Sequence, residues 1–367
     1  MTDRPRVALV HTQPDTVLAD TARVMDLAGA HEHLDPDVDL LLKLNLSWTK
    51  FFPACSSWPW QLDGVVRALK GAGFPRQRLL PVETATVVTN PRKGAQGNLW
   101  QPVMDAHGLE FQPLTEVDWS PVTFTGLEVL PRIFKDGIHV PDMFAGRQVL
   151  HLPTLKTHGH TVTTGAVKNS FGGLLREERH YCHKHIHEVL VELVIMQQQL
   201  HPAQFSVVDG SVAGDGAGPR TMIPRERNRL LAGADPVAVD AVGAALMGID
   251  PLSVPYLRMA HERGVGCADL DAIDLVGEAL DRPAQPFAAK RSLVILGDQW
   301  LRKGPLRFLE HLALHSPLFF WAPMASNLYH DWLWYPLVGG SRIRSFRKTS
   351  WGRLRESYRR GPPDADT

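Results

Sequence analysis

Residues 147–173 read RQVLHLPTLKTHGHTVTTGAVKNSFGG, and the rest of the chain falls into place around them. The stretch opens on an apolar run, Val149-Leu150-His151-Leu152, which suits a buried strand. Pro153 turns the chain, and Lys156, His158 and His160 follow on what reads as a loop. A Thr-rich segment then leads to Lys168, Asn169, Ser170 and the pair Gly172-Gly173. Lysines, histidines and an amide just beyond an apolar strand suit a binding site better than a core. Open α/β sheets bind ligands in crevices at the carboxyl ends of their strands. A solvated loop would carry the same residue types, so the flanking sequence has to decide.

Upstream, Arg6 to Thr12 reads as a strand and Val17 to Leu27 as a helix. Asp39 to Leu46 (DLLLKLNL) is nearly continuous in apolar residues, as in a strand covered on both faces of a parallel sheet. Lys43 and Asn45 lie two apart and share one face of it. Lys43 then stands either by a ligand at the sheet's end or with its ammonium in solvent. Trp48 to Trp60 reads as a lid-like or packing loop, Leu62 to Ala72 as a helix and Arg78 to Val82 as a strand. Trp100 to Ala106 reads as a helix stopped by Gly108, and Val122 to Pro131 as a small β segment.

Downstream, Leu174 to His187 leads into a helix through Leu200 that is apolar nearly all round and therefore buried. Gln204 to Val208 is a strand carrying Asp209-Gly210 at its carboxyl end. Asp235 caps and Pro236 opens the next helix. Asp240 is the lone polar residue among Val237, Ala238, Val239, Ala241 and Val242. A buried carboxylate needs a partner, and a lysine of the central stretch is the expected one. Ile273 to Val276 and Ser292 to Leu296 read as final strands. The alternation predicts an α/β fold, a mainly parallel sheet with crossover helices, over residues 1–283. Residues 284–367 form a strand and an irregular or helical, aromatic- and Arg-rich C-terminal extension.

The ordered series Lys156-Thr157-His158, Gly165-Ala166-Val167-Lys168-Asn169, Phe171-Gly172, Asp209-Gly210, Gly216-Ala217-Gly218-Pro219 and Asp235-Pro236-Val237-Ala238-Val239-Asp240 resembles the signature of domain-of-unknown-function family 362. Lys43-Leu44-Asn45 looks like that family's "KpN" element with leucine in place of proline. The resemblance covers about residues 5 to 280 and implies family membership rather than a chemistry. Some relatives carry a ferredoxin-like iron–sulfur module, which needs closely spaced cysteines. This chain has three scattered ones, Cys55, Cys182 and Cys267, which argues against an iron–sulfur cluster here.

Composition excludes more than it assigns. With 44% hydrophobic and 21% charged residues the 367-residue chain is an ordinary globular protein. A formal net charge of +0 gives no global pull toward nucleic acid. No CxxC and no disulfide framework point to a reducing, cytoplasmic compartment. The N-terminus lacks the apolar core of a signal peptide, and no run of about 18 apolar residues suggests a membrane span. His315 to Val338 is dense in aromatics, Leu and Pro, and Ser341 to Arg360 holds eight Lys/Arg against Glu356. That pattern in residues 315–360 fits a peripheral membrane contact. Pro317, Pro323 and Pro336 would break a long amphipathic helix. Docking on the sheet domain, or on a second subunit of a homo-oligomer, is therefore the favoured expectation.

The candidate site residues follow. Lys156 and Lys168 would fix a small anionic substrate and Asn169 orient it, with Lys43, Asn45 and Gly172 beside them. His158 or His180 would move a proton near neutral pH, held by Asp209 and Asp240. His180, His183 and His187 share one face if the segment is helical, and His183 with His187 would be the ligands of a candidate divalent metal. The Gly-rich turn with Gly216 and Gly218 is followed by no helix, so it makes neither an NAD nor an ATP site. It reads as a ligand-covering loop or an inert one. The expected function is an enzyme doing lyase, isomerase or hydrolase chemistry through acid–base steps. The alternatives are a non-catalytic small-molecule or metal-binding protein, and a redox accessory protein without its cluster.

Overall fold

The computed structural model describes residues 4–86, 88–291, 296–297, 300, 304 and 321–363, apart from the side chains of 177–180 and 321–323. The expected strand at 292–296 lies almost wholly outside the described residues. Twelve strands are described: β1 (Arg6–His11), β2 (Leu40–Lys43), β3 (Leu79–Glu83), β4 (Gln112–Pro113), β5 (Trp119–Pro121), β6 (His139–Pro141), β7 (Gln148–His151), β8 (Thr154–His158), β9 (Val162–Thr164), β10 (Gln204–Ala217), β11 (Thr221–Gly233) and β12 (Asp274–Gly277). The main sheet runs β12-β1-β11-β10-β7-β2-β3-β4. Along that order only β11 runs against its neighbours, so the sheet is mainly parallel, as the alternating sequence predicts.

Strand alternation sorts the core into two layers. Leu41, Val82 and Val149 face the layer built by helices Ala166–Leu174, Ile186–Leu200, Pro236–Leu246 and Pro255–Glu262. Leu40, Leu42 and Leu150 face the layer of helices Val17–Leu27, Pro59–Gly71 and Trp100–His107. Phe346, Trp351 and Tyr358 of the C-terminal helices join that second layer. The extension is thus part of the sheet domain's packing, and Tyr358 donates to the buried Asp63 at 2.8 Å.

Several expectations need correcting. The central stretch is not a loop: Lys156 and His158 lie on β8, and Lys168 and Asn169 on the Ala166–Leu174 helix. Pro153 ends β7, and the chain resumes as β8 alongside the far half of β10, pairing Gly214 with Lys156. The segment 122–131 is no strand; the small sheet there is β5 with β6. The Gly-rich "turn" is mostly strand, since β10 continues through Ala217 and pairs it with Thr221. Pro317 lies outside the described residues, and Pro323 and Pro336 do not break the helix that holds them. Trp321–Asn327, Leu328–Gly339 and Gly340–Arg347 follow one another without interruption, the middle part wound as a π-helix around Pro336. Proline removes one N–H from the usual ladder, and the wider winding accommodates it.

Candidate functional site

Lys156 is buried at the centre of the candidate site. Its ammonium donates to Asn45 Oδ1 at 2.7 Å and also to Thr154 Oγ1. Its place on β8 keeps it under the β10–β11 hairpin, where glycine is required for space. A Cβ on Gly214 would lie 3.0 Å from Lys156 Cβ and run into Met222. A Cβ on Gly218 would overlap the Thr157 carbonyl oxygen. Gly216, at φ 103°, accepts at its carbonyl from Thr157 Oγ1 at 3.0 Å. Gly216 and Gly218 therefore seat the hairpin on β8; they form no free covering loop.

Burial, opposed by Cys55 and reinforced by Lys168, brings Lys156 down to about 7. Cys55 donates its thiol to the Pro219 carbonyl at 3.0 Å, and burial pushes it up to about 12, so it is a neutral thiol. Arg220 lies beside Cys55 and Asp331. Asp331 accepts from Trp48 Nε1 at 2.6 Å, which makes the C-terminal helix one wall of the site. His330 on that wall is lowered to about 4 by burial and then by Arg220.

His158 is buried and its Nδ1 accepts from the His160 backbone N–H at 3.1 Å. Burial, then Lys168, His160, His183 and Lys156, hold it well below the usual histidine range. It is a neutral imidazole at pH 7, and its electrostatic neighbours are lysines and other histidines. Lys168 lies over the Phe171 ring at 5.3 Å, and His160 stacks on His183 at 5.0 Å.

The other expected residues hold this arrangement from below. Lys43 does not reach solvent. It is buried and pairs with Glu83 at 2.8 Å, tying β2 to β3. Asn169 donates to the Lys43 carbonyl at 2.9 Å, and His151 contacts Gln197 at 2.5 Å beside it. Gly173 lets the helix sit close on this pair, since a Cβ there would lie 3.2 Å from Lys43 Cε; one on Gly172 would meet only ordinary contacts. Asp209 is buried on Trp60 Nε1 at 2.8 Å and Ser211 Oγ at 2.6 Å, and burial raises it to about 6.

Asp240 does not meet a lysine. It accepts the N–H groups of Ala166 at 2.6 Å and Val167 at 3.1 Å, and the Tyr256 hydroxyl at 3.1 Å. The helix carrying Lys168 and Asn169 is therefore capped by a carboxylate from another helix. Burial raises Asp240 to about 7. Gly165 makes the approach possible, because a Cβ there would overlap Asp240 Oδ1.

His183 and His187 do not extend one helix face. A 3-10 turn covers Glu177–His185, and the α-helix begins at Ile186. His183 packs on His160 and His187 stacks on Tyr256 at 6.4 Å. Among the described residues no three His, Cys, Asp or Glu side chains gather as a metal site would need. The His180 side chain lies outside the described residues. Sequence reasoning missed Thr154, two residues before Lys156, and Cys55, Arg220 and Asp331, which lie in segments far apart in the chain. Thr154, within the central stretch, and Arg220, next to the Gly-x-Gly-Pro element, carried a local signal.

Residues 40–245 match the family described as a domain of unknown function (DUF362). The chain belongs to the DUF362 family. The DUF362 match runs from β2 to the end of the Pro236–Leu246 helix, and so includes Asn45, Lys156, His158, Lys168 and Arg220. It leaves out β1, β12 and the C-terminal helices. A curated relative, a thylakoid-associated protein of Synechocystis sp., is 31% identical over 124 residues, 32% of this chain. The match spans 37% of that relative's length.

Proposed function

We propose that this DUF362 protein binds a small anion at Lys156, Lys168 and Arg220 and acts on it by proton transfer. The observation that carries this reading is the gathering of half-buried Lys168 and Arg220 around the buried Lys156 and His158. Lys156 and His158 are each neighboured by Lys168, and Cys55, which adjoins both Lys156 and Arg220, is a neutral thiol. Basic groups converging on one partly dry point favour an anion there. Lys156, near neutrality and fixed by Asn45 and Thr154, is the group suited to exchange a proton. Neutral His158, its Nδ1 engaged by the His160 N–H, offers its Nε2–H as a hydrogen-bond donor beside it. Lyase, isomerase and hydrolase steps all use such a pair.

The test is calorimetric titration with inorganic phosphate, malonate and pyruvate, followed by a turnover screen of whichever class binds. Binding by the wild type and its loss in Lys156→Met supports the site. Binding without turnover of any member of the class makes it a non-catalytic binding protein. No binding of any of the three ends the reading. We place the protein in the cytoplasm against a membrane face, in keeping with the thylakoid association of its Synechocystis relative. No helix among the described residues is long and apolar enough to cross a membrane.

A further inference from the structure

The π-wound segment Leu328–Gly339 carries apolar residues on two sides. An i→i+5 ladder brings residues four and five apart onto one face. His330, Trp334 and Tyr335 form the inner face. Trp48 meets His330 at 6.1 Å and Tyr335 at 5.1 Å, and Phe52 meets Trp334 at 5.2 Å. The Tyr335 hydroxyl donates to the Phe51 carbonyl at 2.9 Å. Leu328, Trp332, Leu333 and Leu337 repeat the same spacing on the outside, where they are 59%, 77%, 51% and 71% exposed. Met324, 61% exposed, extends the strip by a turn.

Charge tells what covers it. The helix continues into Gly340–Arg347, and Arg344, Arg347 and Lys348 are exposed just beyond the apolar strip. Residues 321–363 hold eight Lys/Arg against Asp331 and Glu356. Asp331 is turned inward onto Trp48, and Glu356 is engaged by Arg347, Arg355 and Arg359. A symmetric contact with a second copy would bring the same basic turn near its own image. Leucines and a tryptophan flanked by cations instead fit the boundary between headgroups and acyl chains of an anionic bilayer.

We propose that Leu328, Trp332, Leu333 and Leu337 insert into an anionic lipid surface while Arg344, Arg347 and Lys348 contact its headgroup phosphates. This goes beyond the reading of the pocket and stands without it. The helix then has the bilayer on one side and Trp48, Phe52 and Arg220 on the other.

The experiment is co-sedimentation of the full chain with vesicles of phosphatidylcholine alone and of phosphatidylcholine mixed with phosphatidylglycerol. The expected result is binding to the mixed vesicles, weakened by salt and at least tenfold weaker on phosphatidylcholine alone. Trp332→Ser/Leu333→Ser/Leu337→Ser lowers vesicle affinity at least tenfold while keeping the wild-type melting transition, since all three side chains are exposed. Arg344→Glu/Arg347→Glu/Lys348→Glu removes the preference for the anionic mixture. Failure of the wild type to sediment with either vesicle, or sedimentation of the serine variant like the wild type, overturns the proposal. A dimeric wild type that becomes monomeric in the serine variant also overturns it, by making the strip a subunit contact.

Discussion

Lys156 is the side chain on which the candidate site turns. It is protonated below about 7 and neutral above it in the unliganded protein. Anion affinity is therefore expected to be higher at pH 6 than at pH 8.5, and titration at the two pH values measures it. Lys156→Met is expected to weaken anion binding roughly tenfold to a hundredfold, as loss of one charge-assisted hydrogen bond would. Two carboxyl groups set a second pH dependence. Asp209 and Asp240, raised to about 6 and about 7, keep protons that the unfolded chain has released. The folded state thus binds more protons than the unfolded one from about pH 4 to pH 7, and their contribution to stability is lost as pH rises through that window. Asp240→Asn is expected to flatten part of the loss, read from urea midpoints at pH 5 and pH 7.5. Asp240→Ala leaves the Ala166 and Val167 N–H groups without their acceptor and is expected to cost about 1–3 kcal/mol.

At the scale of elements, the site is a strand, a capped helix and a hairpin brought together. Gly165→Ala forces the Pro236–Leu246 helix away from the helix it caps, and a cost of about 1–3 kcal/mol by denaturant unfolding is expected. Lys43→Met takes the ammonium from buried Glu83 and is expected to cost about 3–5 kcal/mol. The double variant Lys43→Met/Glu83→Leu should recover much of that loss. What the sequence announced at this scale was local. Leu40-Leu41-Leu42 declared a doubly covered strand, and Asp235-Pro236 declared a helix start whose carboxylate does accept from Val237 and Ala238. What it concealed was set by neighbours remote in sequence. Gly214 and Gly218 look like loop residues, yet Met222, Lys156 and the Thr157 carbonyl demand them inside and beside a hairpin. Asp240 had no legible partner, because its partners are backbone N–H groups about 74 residues earlier. Pro336 read as a breaker because the wide winding that tolerates it depends on the packing of Trp334 and Tyr335.

Across the whole molecule, the sheet joins the first strand to two strands made late in the chain. Val7 pairs with Gly233 and Arg6 with Asp274, so the first strand has no partner until β11 exists and only one until β12 does. Pairing across so much sequence slows folding. On a ribosome adding roughly 5–20 residues per second, β1 waits on the order of ten to fifty seconds for β11 to be synthesised. During that time Val7 to Val10, wholly buried in the finished protein, form a bare and apolar strand edge. Nascent chains arrested before Thr221 are expected to be clipped near the N-terminus by added protease and held by chaperones. Chains arrested well beyond Gly233 should resist both.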